Sequence, residues 1–332
     1  MRLARPSRAA LLLAIALVAR PSEAPAYETD QYTARRAEVA DSTEVLNREV
    51  NRALEEIVAE WHYGRDERRL VRQVYRRLGG RHWVDAIERF AIRSPEVDQF
   101  DTVKAESIYA GVSPLSGRVV FCFGLGPTIR LAGTLIGSDK LGHFFSQGWK
   151  YYRRHRRGQP EERVVALGLR NETWIFGRVT TGVFSNADLV ANYEGYLFYR
   201  GLFEDDVVSG RPAIVRFEGA GARLMRRFDW RDHVNPFWDE ALNPSAYDRL
   251  LAPHVRRNLQ RLCPLYRRQP ERFELENRGA LESRYAHLGL RDASRFRIDR
   301  LCRERDGEST TTENDPGDDL PRREATSTDG PP

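Results

Sequence analysis

Apolar residues recur every three or four positions along most of the chain, which is the spacing of one face of an α-helix. In the first such segment, Leu46, Val50 and Leu54 mark an amphipathic helix. Its start carries Asp41 and Glu44 at the spacing of a capping box. Glycine and proline divide the later segments into separate elements. The predicted helices cover 41–63, 66–78, 82–92, 139–155, 161–176, 185–203, 244–263 and 291–305.

Strand signals are few and short. Residues 212–217 alternate apolar and polar side chains, which predicts a strand. Residues 118–137 are mostly apolar, but Pro127 and Arg130 near the middle favour a buried helix or strand pair over a membrane span. The Trp- and Asn-Pro-rich segment 228–244 predicts turns. We therefore expect a mainly α, multi-helix soluble domain with a minor short-strand element.

The two ends of the sequence differ from the part between them. Residues 1–26 have a basic start, an apolar run and a closing A-x-A pattern, which predict a signal peptide cleaved after Ala26. Residues 303–332 lack apolar periodicity and are rich in Ser, Thr, Asp, Glu, Gly and Pro, which predicts a disordered acidic tail. A single helical domain is expected over 27–302. Its N-terminal, core and C-terminal parts are assigned to 27–117, 118–210 and 211–302.

Charge limits the partners that this domain would bind. The chain carries a formal net charge of +5, although the predicted tail holds nine acidic and four basic residues. The part between signal peptide and tail is therefore rich in unbalanced arginine. In an exported protein this favours an anionic lipid or a cell-wall polymer over nucleic acid, although a solvated arginine-rich surface has the same composition. We expect a periplasmic protein, at most peripheral on a membrane, with no transmembrane helix in the mature chain.

The three cysteines fit an exported protein. Export permits a disulfide, and a bridge between Cys263 and Cys302 would tie down the last predicted helix. Cys122 lies in an apolar run and is expected to be a buried free thiol. No pair has metal-ligand spacing, which argues against a structural zinc site.

The candidate site lies in the middle of the chain. Asp139 and His143 are four positions apart, as are Asp188 and Asn192, so each pair lies on one face of a helix. The second pair shares its face with Gly195, where a ligand or another backbone can approach closely.

A carboxylate beside an imidazole supports two kinds of chemistry. It can orient a general acid or base, or it can contribute two ligands to a divalent metal ion. Glu172, Asp188 or His233 would supply a third ligand, and Lys140 would pair with a phosphate or carboxylate. The candidate catalytic residues are His143, Asp139 and Glu172, and the candidate ligand-binding residues are Lys140, Asp188, Asn192 and Gly195.

Ordinary helix chemistry accounts for the same residues. Asp139 lies in a first turn, where the helix dipole favours an acid. Ser185 and Asp188 have the spacing of a helix cap, and Asn192 and Glu172 can join helices through buried hydrogen bonds. The sequence contains no nucleophile elbow, complete metal signature or phosphate loop. Two interpretations of these residues therefore stay open, a structural polar core and a functional site.

A second group of polar and aromatic residues follows the predicted strand. Aromatic rings beside carboxylates suit a carbohydrate-binding groove, and adjacent acids can hold Ca²⁺, although the spacing matches no EF-hand loop. A loop anchored by tryptophans in the helical core is the favoured interpretation. The group comprises Trp230, Asp232, His233, Asn235, Trp238, Asp239, Glu240 and Asn243.

The order of polar residues in the candidate site resembles that of the VanZ-like family and of related bacterial periplasmic proteins of unknown function. The matching elements are Asp139-Lys140-x-x-His143-Phe144, Glu172, Arg178 and Asp188-x-x-x-Asn192-x-x-Gly195. The resemblance implies a three-helix polar cluster in an envelope protein. The resemblance does not imply a particular reaction, because no reaction is established for the family. VanZ-like proteins span the membrane several times, whereas the matching helices here carry Lys150, Arg163 and Arg170, which do not suit lipid-facing spans.

The sequence therefore predicts an exported bacterial envelope protein whose polar cluster binds an envelope ligand or forms a polar core. One alternative is a metal- or His143-dependent hydrolase of cell-wall glycan or lipid. Another is an interaction scaffold on the membrane surface. The sequence requires no cofactor and is compatible with a divalent metal ion, and it leaves open whether the protein is an enzyme. The cluster comprises Asp139, His143, Glu172, Asp188 and Asn192.

Overall fold

A computed structural model describes residues 28–80, 84–112, 124–171 and 181–306. The predicted signal peptide, Cys122, Glu172 and the tail beyond residue 306 lie outside these ranges. The predicted mainly α fold is confirmed. The helices are Gln31–Ala34 (α1), Thr43–Ala59 (α2), Glu67–Leu78 (α3), Ala86–Arg93 (α4), Asp139–Gly142 (α5), Gly148–His155 (α6), Glu161–Asn171 (α7), Asn186–Gly201 (α8), Ala252–Leu259 (α9), Cys263–Arg268 (α10), Arg278–Tyr285 (α11) and Ile298–Arg305 (α12).

The first long helix, α2, buries the apolar stripe that its sequence predicts. Leu46, Val50 and Leu54 are all buried in the main hydrophobic cluster. The predicted capping box does not hold the start of the helix. Ser42 is the N-cap residue, and Asp41 accepts a 2.8 Å hydrogen bond from the backbone N–H of Thr43 instead.

The helix predicted over 139–155 is present in three joined parts. A π-helical turn, His143–Gln147, separates α5 from α6. Such turns are rare and frequently mark functional sites. Ser138 precedes α5 without a side-chain capping bond.

The strands are short and antiparallel. The segment predicted as a buried helix or strand pair contains a strand pair, in which Thr128 lies opposite Gly137. Ala132 and Gly133 both have positive φ in the tight turn between the two strands. The predicted strand 212–217 is present as the first arm of a hairpin that begins at Val215. The strands are Gln99–Phe100 (β1), Thr128–Leu131 (β2), Thr134–Gly137 (β3), Val183–Phe184 (β4), Val215–Glu218 (β5), Gly221–Leu224 (β6) and Ala246–Tyr247 (β7), paired as β1-β2-β3, β4-β7 and β5-β6.

The C-terminal part differs most from the prediction. The helix expected over 244–263 begins only at Ala252 and passes through a 3₁₀ turn into α10. Helix α11 was not predicted. Helix α12 continues to Arg305, beyond the residue at which the tail was expected to begin. A disulfide joins Cys263 to Cys302, as the sequence permitted.

The buried apolar residues form two clusters. The main cluster holds α2, α3, the π turn, α8 and the Trp230–Trp238 loop, and the second holds Tyr32 with α9, α10 and α12. Polar residues of the candidate site come from chain segments that contribute to both clusters. Within the described ranges, no helix has the length and apolar character needed to cross a membrane.

Candidate functional site

The candidate site is centred on Lys140, whose side chain is only 1% exposed. Its Nζ lies 2.7 Å from Oδ2 of Asp139, 2.7 Å from Oδ1 of Asp188 and 2.8 Å from Oε1 of Glu240. A buried ammonium group costs several kcal/mol unless charged partners replace its hydration. Here three carboxylates surround it, so the lysine and its partners form one electrostatic unit.

Two helix starts and a loop position these groups. Asp139 and Lys140 open α5, and Asp188 lies in the first turn of α8. Ser185 caps α8, as predicted, by accepting a 3.1 Å hydrogen bond from the backbone N–H of Asp188. The same hydroxyl donates a 2.8 Å hydrogen bond to Oε1 of Glu240, which ties the loop to the helix start.

His143 extends the site at the start of the π turn. Its Nδ1 lies 3.0 Å from Oδ1 of Asn192, and its Nε2 lies 3.2 Å from Oδ2 of Asp188. With the amide oxygen of Asn192 accepting from Nδ1, Nε2 either carries a proton and pairs with Asp188 or offers its lone pair to a metal ion.

Three further carboxyl groups surround the unit. Burial, with added repulsion from Asp139, raises the pKa of Glu88 well above its usual value. Burial and repulsion from Glu240 do the same to the pKa of Glu28. Burial raises the pKa of Asp85 to about 6. These groups retain protons at higher pH than exposed carboxyls do, chiefly because burial disfavours their charged forms.

The ion pair between Lys140 and Asp188 keeps its charges. Burial alone would lower the pKa of Lys140, but Asp139, Asp188 and Glu240 outweigh it and raise that pKa well above its usual value. Burial alone would raise the pKa of Asp188, but His143 and Lys140 hold it below its usual value. Negative groups outnumber positive ones, so the site favours binding of a proton or another cation.

Three side chains have the geometry of a metal site. Asp139, His143 and Asp188 each offer one ligand atom, and these atoms all lie within 4.8 Å of one another. Ligand atoms around a tetrahedral zinc ion lie about 3.3 Å apart, close to the separation of His143 Nε2 and Asp188 Oδ2. Solvent reaches the site, because these two side chains are 14% and 12% exposed.

The structure brings together five of the residues singled out from the sequence: Asp139, Lys140, His143, Asp188 and Asn192. Gly195 lies away from these ion pairs, at the crossing of two helices. A Cβ atom there would lie only 1.9 Å from the backbone oxygen of Phe144. Of the two roles considered for Gly195, the structure therefore shows the close approach of another backbone segment. Glu172 lies outside the described residues.

His233 does not join the site as a third metal ligand. Its Nδ1 lies 3.3 Å from Oε2 of Glu194, and both side chains are buried. The loop that carries it is anchored in the core as favoured, since Trp230 and Trp238 are fully buried and neither ring is available to a sugar. Asp239 of the same loop is engaged in a 2.6 Å ion pair with Arg35.

Sequence reasoning missed the carboxylates contributed from distant segments. Glu240 was singled out with the tryptophan loop, yet it pairs with a lysine one hundred positions earlier in the chain. Its other oxygen, Oε2, is buried and has no hydrogen-bond partner among the residues that the structure describes. Glu28, Asp85 and Glu88 carried no spacing pattern that pointed to this site.

No family model, curated protein or solved structure matches this chain. Functional inference therefore depends on the chemistry of these side chains.

Proposed function

We propose that Asp139, His143 and Asp188 bind a divalent metal ion in an exported envelope protein. The observation that carries the proposal is the convergence of two carboxylates and one imidazole beside further buried carboxyl groups. Imidazole and carboxylate together suit zinc or manganese better than magnesium or calcium. Asn192 would orient His143 through Nδ1, as outer-shell partners of metal-bound histidines commonly do.

Lys140 supports this proposal by its position. It contacts Oδ2 of Asp139 and Oδ1 of Asp188, so the other oxygen of each carboxylate is directed elsewhere. Oδ2 of Asp188 faces His143, and Oδ1 of Asp139 accepts a 3.5 Å hydrogen bond from the hydroxyl of Thr29. Lys140 would thus orient both carboxylates, while the remaining oxygens and the imidazole nitrogen ligate the ion.

The envelope setting is also a proposal, and it draws on the sequence. A predicted signal peptide precedes the described chain, and the disulfide between Cys263 and Cys302 suits an oxidising compartment. The order of polar residues along the sequence, which resembles the VanZ-like pattern, points to the same setting. The envelope ligand of the site would then be the metal ion itself or an anion bound through it.

The direct test is the metal content of the purified protein and of its variants. After dialysis against zinc or manganese, we expect one ion per chain in the parent protein and a loss of at least tenfold in affinity in His143→Gln or Asp188→Asn. His62→Gln is the matched control, because His62 is exposed and does not belong to the site. Folding is checked by the melting temperature of each variant. Metal-free parent protein, or equal binding by a folded His143→Gln variant, would reject the metal site in favour of a polar core.

A second candidate function is hydrolysis of an envelope glycan or lipid. The partial exposure of His143 and Asp188 favours it, because a metal ion held there would have an open position for water. Such an ion lowers the pKa of its bound water and so supplies a nucleophile near neutral pH. Turnover of envelope lipid or glycan that disappears with a chelator, and returns with the metal, would support this function. Metal binding without any turnover would leave the site as a binding site alone.

A further inference from the structure

A concave, strongly basic surface lies between α3 and α6, apart from the candidate site. It encloses a cavity of about 690 Å³, within the range of small-molecule sites, and shares no lining residue with the Lys140 ion pairs. We call it the arginine groove. Its six arginines are Arg68, Arg72, Arg76, Arg153, Arg156 and Arg157.

One side of the groove is an arginine stripe on α3. Arg68, Arg72 and Arg76 follow at intervals of four, so they project from one face of the helix. Like charges at this spacing destabilise a helix, and Arg68 also lies near the N-terminus, where the dipole disfavours a cation. Helix stability therefore does not explain the stripe, whereas an anion bound between the arginines would relieve its repulsion.

The opposite side comes from the end of α6. Arg156 forms a 2.9 Å ion pair with Glu67, but the other five arginines have no carboxylate within ion-pair distance in the described part of the chain. Elsewhere many surface arginines are paired, as Arg52 is with Glu49 at 2.6 Å. The groove thus concentrates positive charge that the described part of the protein leaves largely uncompensated.

An aromatic floor gives the groove a fixed shape. The rings of Tyr75 and Trp149 stack at 4.0 Å with an interplanar angle of 10°. The guanidinium of Arg153 packs 4.5 Å from the centroid of Trp149. A guanidinium held on a ring loses little further freedom when it binds an anion, which favours binding.

We propose that the arginine groove binds a ligand carrying two or more phosphate groups. Guanidinium groups match phosphate oxygens in bidentate pairs, and phosphate supplies the high charge density that several facing arginines require. Because the arginines come from two helices, a ligand with phosphates on both sides of the groove would engage both rims. This site is independent of the proposed metal site, because the two share no residue.

Titration of the purified full-length chain with tripolyphosphate, in metal-free buffer, tests the proposal. We expect saturable binding in the parent and at least roughly tenfold weaker binding in Arg72→Gln/Arg153→Gln, because each variant position loses a charge-assisted hydrogen bond. Arg261→Gln/Arg268→Gln removes the same charge from exposed positions outside the groove and should bind as the parent does. Melting temperatures confirm that both variants fold. Equal weakening in both double variants, or no saturable binding by the parent, would overturn the proposal.

Vesicles distinguish the two sources of phosphate. Binding to phosphatidylcholine–cardiolipin vesicles that tripolyphosphate displaces would support the groove with lipid head groups as its ligand, because cardiolipin carries two phosphates. Tripolyphosphate binding without vesicle binding would support the groove with a soluble phosphorylated ligand. Vesicle binding that the Arg72→Gln/Arg153→Gln variant retains, and that tripolyphosphate does not displace, would contradict the proposal.

Discussion

Lys140 is the residue on which the electrostatics of the site depend. Its ammonium group contacts three carboxylates and is almost completely excluded from solvent. Its folded-state pKa is raised, so its contribution to stability is fully present below its ordinary pKa and is lost only as the pH rises through the higher folded value. Near neutral pH the lysine therefore acts as a fixed positive charge.

Replacing this charge should strongly destabilise the protein. Lys140→Met keeps most of the side-chain volume but leaves Asp139, Asp188 and Glu240 without their shared cation. We expect a loss of about 3–5 kcal/mol in the free energy of unfolding near neutral pH, measured by urea denaturation. The loss should shrink toward pH 4, about the range in which carboxylates protonate. Lys104→Met is the control, and an equal effect there would contradict the account.

Asp85 makes a second pH dependence testable, in a lower pH range than that of Lys140. Burial raises its pKa to about 6, against the lowering effects of Ser146, His143, Lys150 and Arg89. The folded protein therefore binds this proton more tightly than the unfolded chain does. The resulting stability is present below about pH 4 and is lost as the pH rises through about 6.

Asp85→Asn should therefore stabilise the metal-free protein at alkaline pH. Relative to the parent, we expect a gain of about 2–3 kcal/mol in the free energy of unfolding between pH 4 and about pH 8, from a shift of about two pKa units. Urea denaturation across this range in chelator measures it. Asp205→Asn is a control of opposite sign, because the backbone of Ala213 and the side chain of Arg216 lower the pKa of that carboxyl. The expectation would be contradicted if the difference in the free energy of unfolding between Asp85→Asn and the parent did not change with pH.

At the scale of elements, the crossing of α8 with the π turn and α6 fixes the distance between the site's two helices. A Cβ atom at Gly148 would lie 2.5 Å from the backbone carbon of Gly195, and one at Gly195 would lie 1.9 Å from the backbone oxygen of Phe144. The helix backbones therefore touch directly. This contact brings Asn192 and Asp188 to His143.

Adding one methyl group at this crossing should separate the helices. We expect Gly195→Ala to lower the free energy of unfolding by about 2–3 kcal/mol or more, because backbone atoms cannot move aside as a flexible side chain can. Gly279→Ala is the matched control, since nothing lies within 4 Å of its added Cβ and alanine favours a helix. That variant should be unchanged or slightly more stable in thermal unfolding. Equal stability of both variants would contradict the close crossing.

The site's helical residues could be predicted because spacing alone places side chains on one helix face. Asp139 with His143, and Asp188 with Asn192, follow from their intervals of four. The π turn could not be predicted, since the apolar spacing of this segment is that of an ordinary helix. Helix α11 was missed because its sequence, Arg278–Tyr285, has little apolar periodicity and only Tyr285 is buried.

At the scale of the molecule, the site joins segments that are far apart in sequence. Glu28 lies at the start of the described chain, and Glu240 belongs to a loop whose neighbours contribute to both apolar clusters. Local sequence patterns carry no information on such pairings, because the pairings form only when the two apolar clusters pack. This is why Glu240 was placed in a separate carbohydrate or calcium hypothesis, while its actual partners are Lys140 and Ser185.

The disulfide should stabilise the second apolar cluster. Cys263 and Cys302 close a loop of 39 residues and are both buried in that cluster. We expect Cys263→Ser/Cys302→Ser to lower the free energy of unfolding by about 2–4 kcal/mol, since the unfolded chain regains freedom. Thermal unfolding of this variant, compared with the oxidised parent protein, measures the effect, and the parent in reductant should behave as the variant does. A variant as stable as the oxidised parent would contradict a structural role for the bond.

The central claim is that Asp139, His143 and Asp188 hold a metal ion together. X-ray absorption at the zinc edge of the zinc-loaded protein tests it most directly, because the spectrum reports the ligands of the bound ion. The account predicts a shell of nitrogen and oxygen at about 2.0–2.2 Å with scattering from a single imidazole, which His143→Gln abolishes. A shell containing sulfur or several imidazoles, or an unchanged spectrum in a folded His143→Gln variant, would contradict it.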